Sequence, residues 1–69
     1  MMMRTYYFDT KDGVPVRDNT GLAFATSREA IQHSKGLARD MRSKGADQDK
    51  DRFIVVVDES GTEIHREPV

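Results

Sequence analysis

The spacing of apolar positions changes along the chain, and each change marks an element. Thr5 to Asp9 alternates: Tyr6 and Phe8 point one way, Thr5, Tyr7 and Asp9 the other, as in a strand with one bulky face. Asp9-Thr10-Lys11-Asp12-Gly13 reads as a turn, and Val14 to Arg17 as a second strand. Pro15 cannot donate to a ladder, so that strand belongs at an edge. Leu22-Ala23-Phe24 then extends or re-enters the sheet.

The period next lengthens to that of a helix. Ala30, Ile31, Ser34, Leu37, Ala38 and Met41 share one face at about 100° per residue. Thr26-Ser27-Arg28-Glu29 has the form of a capping box, in which hydroxyl and carboxylate each take an amide of the first turn. The expected helix runs from about Ser27 to Lys44, with Gly45 as its stop and a charged loop from Ala46 to Asp51. Gly36 falls on its solvent side, at a cost of roughly 1 kcal/mol relative to Ala.

Phe53 to Asp58 is apolar on both faces, which marks a central strand, whereas Thr62 to Glu67 is polar and meets Pro68, which marks an edge. These elements predict an α+β domain, β-β-α-β-β. Its antiparallel sheet has four strands in the order 2-1-3-4, with one helix on one face. The expected core is Tyr6, Phe8, Leu22, Phe24, Ile31, Leu37, Met41, Phe53, Val55 and Val57. Alternation leaves Tyr7, Ile54 and Val56 on the uncovered face, where they form a candidate interface.

A short motif occurs twice. Asp18-Asn19-Thr20-Gly21 and Asp58-Glu59-Ser60-Gly61 each place Asp at the start of a tight turn and Gly at its end. The Asp side chain there binds nearby backbone amides, and Gly accepts positive φ. The two copies flank the helix.

Together, Tyr6-Tyr7-Phe8-Asp9, Asp12-Gly13, the two Asp-x-x-Gly turns and the single Ala/Leu helix resemble a small family of alpha-proteobacterial proteins classed as a domain of unknown function. The resemblance spans nearly the whole chain and implies a stand-alone bacterial domain of the cytoplasm. It carries no activity, cofactor or catalytic residue. The polar stretch from Ala46 to Arg52 is longer than the family pattern.

Composition narrows the function. Sixty-nine residues make one domain, with Met1 to Met3 expected to fray. A chain this short buries only about 60% of the surface it exposes unfolded, so a partner would add stability. With no cysteine there is neither a disulfide nor a thiolate metal site. The formal net charge of −1 gives no general attraction to nucleic acid or anionic lipid. The longest aliphatic-aromatic run, Phe53 to Val57, is far short of the about 20 residues needed to cross a bilayer. The start lacks a signal peptide's apolar stretch and cleavage site, so a cytoplasmic protein is expected.

Neither a phosphate loop, a dinucleotide fingerprint nor a nucleophile elbow is present. Asp9, Asp12 and Asp18 lack the spacing of a calcium loop and its closing Glu, so they read as turn residues and no metal is expected. His33, placed opposite the apolar stripe, and His65, on the polar edge strand, sit on different elements and make no zinc set. The chain therefore reads as non-catalytic and cofactor-free. Arg28, Lys35, Arg39 and Arg42 project within about 60° around the helix. They form a candidate basic patch, either a solvated flank or a surface for phosphates. The favoured expectation is a self-association or protein-interaction module forming two-fold dimers or docking a protein partner. Weak nucleic-acid binding through the basic patch is the alternative, and no membrane contact is expected.

Overall fold

A computed structural model of the chain describes residues 2–12, 14–44 and 52–69. The expected helix stop at Gly45, the loop from Ala46 to Asp51 and Gly13 lie outside the described residues; Asp9 to Asp12, expected as a turn, instead continue the first strand.

Five strands and one helix follow one another: β1 (Arg4–Asp12), β2 (Val14–Val16), β3 (Leu22–Phe24), α1 (Ser27–Lys44), β4 (Arg52–Val57) and β5 (Glu63–Pro68). The sheet is antiparallel in the order β2-β1-β4-β5, with β3 also paired to β1. The four principal strands thus lie in the expected order, apolar strands inside and Pro-bearing strands outside. The addition is β3. Val16 stands opposite Thr10 and Leu22 opposite Tyr6, so β2 and β3 run along the same edge of β1. Arg17 to Gly21, five residues, face only Tyr7 to Asp9, three residues, and the excess is looped out as the first Asp-x-x-Gly turn. The second copy joins β4 to β5, where Asp58 and Thr62 close the ladder with a 3.0 Å bond from the Asp58 amide to the Thr62 carbonyl.

The capping box forms as expected. Glu29 Oε1 accepts the amides of Ala25 and Thr26, and the Glu29 amide donates to Thr26 Oγ1. The helix packs on the sheet through Ala30 and Ala38, both fully buried beside Tyr6, Phe8, Ile54 and Val56; Phe24, Leu37, Met41 and Ile64 pack around this cluster. Ser34 is also buried in α1, its hydroxyl donating to the Ile31 carbonyl at 2.6 Å. Three of the smallest side chains, Ala30, Ser34 and Ala38, line the seam, so the helix axis can approach the sheet closely.

Register corrects the expected faces. Phe8 pairs with Val56 and Thr10 with Ile54, whereas Tyr7 pairs with Val57, Asp9 with Val55 and Lys11 with Phe53. Directly opposed residues share a face, so Ile54 and Val56 join Phe8 under the helix, at 1% and 0% exposure. Phe53, Val55 and Val57, expected in that core, occupy the other face with Tyr7, where Val55 is nonetheless buried at 4% exposure and Phe53 and Val57 are half-buried. Leu22, also expected inside, is 46% exposed on the short edge strand β3, and Ile31 is only half-buried. His33 is corrected as well. It lies three residues after Ala30 and four before Leu37, on the flank of the buried stripe, with its ring 4.9 Å from that of Phe8 and 5.4 Å from that of Phe24.

Candidate functional site

The sheet face away from α1 is built by alternate residues of three strands. β1 contributes Tyr7, Asp9 and Lys11; β4 contributes Phe53, Val55 and Val57; β5 contributes Glu63, Arg66 and Pro68. One half of this face is screened. The Arg66 guanidinium stands 4.6 Å from the Phe53 ring centroid, and Lys11 Nζ 5.9 Å from it. Arg66 also donates twice to the Glu63 carboxylate, from Nε at 3.1 Å and Nη2 at 3.0 Å. Cations over an aromatic face contribute about 0.5–1 kcal/mol when exposed, and their stems cover apolar surface.

The other half is concave. Tyr7 and Val57 line a depression of about 290 Å³ with Asp9, Arg17, Asp18, Asn19, Asp58, Glu59 and Gly61. The repeated motif explains why it exists: the two Asp-x-x-Gly turns stand on either side of the middle of β1, beside Tyr7. Each turn is held by its Asp in the same way. Asp18 Oδ1 accepts the amides of Thr20 and Gly21, and Asp58 Oδ1 those of Ser60 and Thr62. Gly21 and Gly61 close the turns at φ 74° and 88°.

The acidic side chains also patch the sheet where β1 loses its neighbours. Asp18 Oδ2 accepts the Phe8 amide at 3.1 Å, where the looped-out residues interrupt the edge strand. Asp9 Oδ1 accepts the Asp18 amide at 2.9 Å. Beyond the end of β4, Glu59 Oε2 accepts the Thr5 amide at 3.2 Å. Three carboxylates thus take acceptor positions that strand carbonyls would otherwise fill.

Electrostatics follow from these bonds. Burial pushes the Asp18 carboxyl up, but the amides of Thr20, Phe8 and Gly21 outweigh it and hold the group below its usual range. The Ser60 hydroxyl, with the amides of Thr62 and Ser60, lowers Asp58. Hydrogen bonds to the charged form account for both directions. The depression therefore stays anionic at neutral pH, with Arg17 the one cation among its described lining residues.

Of the candidate interface residues, only Tyr7 lies on the uncovered face; Ile54 and Val56 are in the core. The basic patch is partly engaged. Lys35 Nζ lies 3.3 Å from Glu67 Oε1, which also meets His65 Nε2 at 2.8 Å. This contact, and that of Arg66, lower the carboxyls involved: Glu67 first through His65, Glu63 first through Arg66. Arg28, Arg39 and Arg42 are exposed and make no ion pair among the described residues. No group of three metal-ligating side chains occurs among the described residues, and none of their helices is long and apolar enough to cross a membrane. Sequence reasoning missed the depression, although the repeat of the Asp-x-x-Gly motif was its signal.

No curated protein and no solved structure matches the chain. A family model does, over residues 5–69, and the chain belongs to that family, a domain of unknown function designated DUF6894.

Proposed function

We propose that this domain is a non-catalytic association module of the cytoplasm, and that it binds a second copy of itself through the uncovered face of its sheet. The observation that carries this reading is the strip Tyr7, Phe53 and Val57, half-buried around a buried Val55 on the sheet face away from α1. At about 25 cal/mol per Å² of apolar surface, covering it favours association. Much of that gain is offset by lost freedom, so the affinity is modest. Support for a non-catalytic role comes from how the reactive side chains are used. Asp18 spends both carboxylate oxygens on backbone amides, His65 is held by Glu67, and His33 lies against Phe8 and Phe24.

Sedimentation over a range of concentrations tests the reading. The parent should gain mass with concentration, and Val57→Lys, on the uncovered face, should remain folded and monomeric. A parent that stays monomeric at millimolar concentration defeats it.

The second reading is weak nucleic-acid binding by the helix, favoured by Arg28, Arg39 and Arg42, which are exposed and make no ion pair among the described residues. Phosphate binding falls steeply with salt. Replacing Arg28, Lys35, Arg39 and Arg42 together should then abolish binding to mixed oligonucleotides. No binding by the parent at low salt removes this reading.

A further inference from the structure

Two surfaces on opposite sides of the domain carry opposite charge. On the uncovered sheet face, the depression between the turns holds Asp9, Asp18, Asp58 and Glu59 against one Arg17. On the outer side of α1, Arg39 and Arg42 are one turn apart, exposed, and without an ion pair among the described residues. We infer that copies of this chain associate head to tail, with the Arg39–Arg42 turn of one helix seated in the anionic depression of the next sheet. The inference rests on the proposed self-association and names the surface that occupies the face.

Three features favour this partner surface over a second sheet face. First, two cations of the sheet face are already engaged, Arg66 by Glu63 and Phe53, and Lys11 by Phe53. Apposing two such faces would bring each depression only the other's Arg17, which already stands among four carboxylates of its own. Second, the carboxylates retain acceptor capacity. The internal bonds of Asp9, Asp58 and Glu59 each use a single oxygen, leaving the second oxygen of each outside those bonds. A guanidinium is suited to such a rim, because its planar fork binds carboxylates in pairs. Third, Tyr7 and Val57 line the same depression, and Tyr7 offers a ring for a guanidinium to stack on. The hydrogen bonds that lower Asp58 and Asp18 keep the depression charged at neutral pH.

A head-to-tail contact uses two different surfaces, so it does not close on itself at two copies. Growth continues to rings or filaments unless one surface is blocked, which gives a decisive test. Variant one is Arg39→Glu with Arg42→Glu; variant two is Asn19→Lys with Glu59→Lys. Circular dichroism confirms that each is folded, and light scattering with sedimentation measures mass at low salt.

The parent should grow past a dimer as concentration rises, and raising salt from 50 to 500 mM should weaken growth by at least tenfold in the concentration required. Each variant alone should stay monomeric at tenfold the parent's assembly concentration. An equimolar mixture of the two should form dimers and stop there, because one functional surface of each kind remains. If variant one alone still forms dimers and nothing larger, the faces pair like with like, and the head-to-tail arrangement is overturned while sheet-face association survives. If both variants assemble as the parent does, or the parent is monomeric throughout, both readings fail.

Discussion

The carboxylate of Asp18 accepts the backbone amide of Phe8 at 3.1 Å, across the gap where five residues of one edge face three of the other. Its other oxygen holds the amides of Thr20 and Gly21. A single side chain thus closes a turn and repairs the sheet beside it. Without it, the amide of Phe8, whose side chain is in the core, has no acceptor.

Asp18→Ala should therefore destabilise the domain by about 1–3 kcal/mol, the cost of leaving such a donor unsatisfied. Denaturant unfolding at pH 7 reads the change. A loss below a few tenths of a kcal/mol would mean that water replaces the carboxylate without penalty.

The same group makes stability depend on acid. The folded carboxyls of Asp18 and Asp58 lie below their unfolded values. Their contribution is full above the unfolded value, near pH 4, and is lost as pH falls through the lower folded values. Thermal melting between pH 7 and pH 2 should show a fall beginning near pH 4. In Asp18→Asn that fall should be shallower, because the variant has one fewer proton to take up.

The two turn glycines are alike in backbone and differ in surroundings. Both have positive φ, so alanine at either carries a backbone penalty of about 1–2 kcal/mol. A Cβ at Gly61 meets nothing within 4 Å, whereas one at Gly21 would sit 2.7 Å from Thr5 Cγ2 and 2.9 Å from Tyr7 Cε1. Gly21→Ala should cost clearly more than Gly61→Ala in the same unfolding experiment. Equal costs would show that Thr5 and Tyr7 move aside freely.

Strand order and the helix were legible because each rested on a local signal. Pro15 and Pro68 mark edges, Thr26 and Glu29 mark the helix start, and Phe53 to Val57 reads as interior. The identity of the faces was not legible for the same reason that β4 was easy to find. A strand apolar on both sides does not announce which side meets the helix. That choice is fixed by register, Phe8 against Val56, and a slip of one residue exchanges every side chain between faces. The depression was hidden for a related reason, as was the place of β3, legible only as a segment that extends or re-enters the sheet. The Asp18 turn looked like the end of a strand, whereas it interrupts one edge and lets the chain resume opposite Tyr6. Alternation along β1 identified Tyr7 as facing away from the core, but its partners there come from pairing.

Face assignment leads to a sharp contrast between neighbours. Val56 is 0% exposed beneath the helix, whereas Val57 is half-buried on the opposite face. Val56→Lys would bury an ammonium group with no partner, a cost of several kcal/mol in a domain with little stability to lose. It should abolish cooperative melting. Ile54→Ala, a truncation in the same cluster, should cost about 2–5 kcal/mol. Leu37→Ala, at a half-buried site on the rim of that cluster, should cost less than Ile54→Ala. A folded Val56→Lys with the melting behaviour of the parent would reverse the faces.

Gly36 is the position at which the helix departs most from its own propensity. It lies in the middle of α1, is exposed, and a Cβ there meets nothing within 4 Å. Alanine would restrict the unfolded chain and extend the run of good helix formers without touching a neighbour, a gain of roughly 1 kcal/mol. In a domain of this size that corresponds to a rise in melting temperature of about 4–8 °C. Gly36→Ala should also leave the mass distribution in solution unchanged, because the arginines assigned to the contact, Arg39 and Arg42, lie to one side of it on the helix. A rise in melting temperature with unchanged assembly would identify the glycine as a local weakness of an isolated helix. If assembly were lost while the monomer became more stable, the added methyl group would be obstructing a second chain. The contact surface of α1 would then extend across Gly36, and the arginine turn would be only one edge of it.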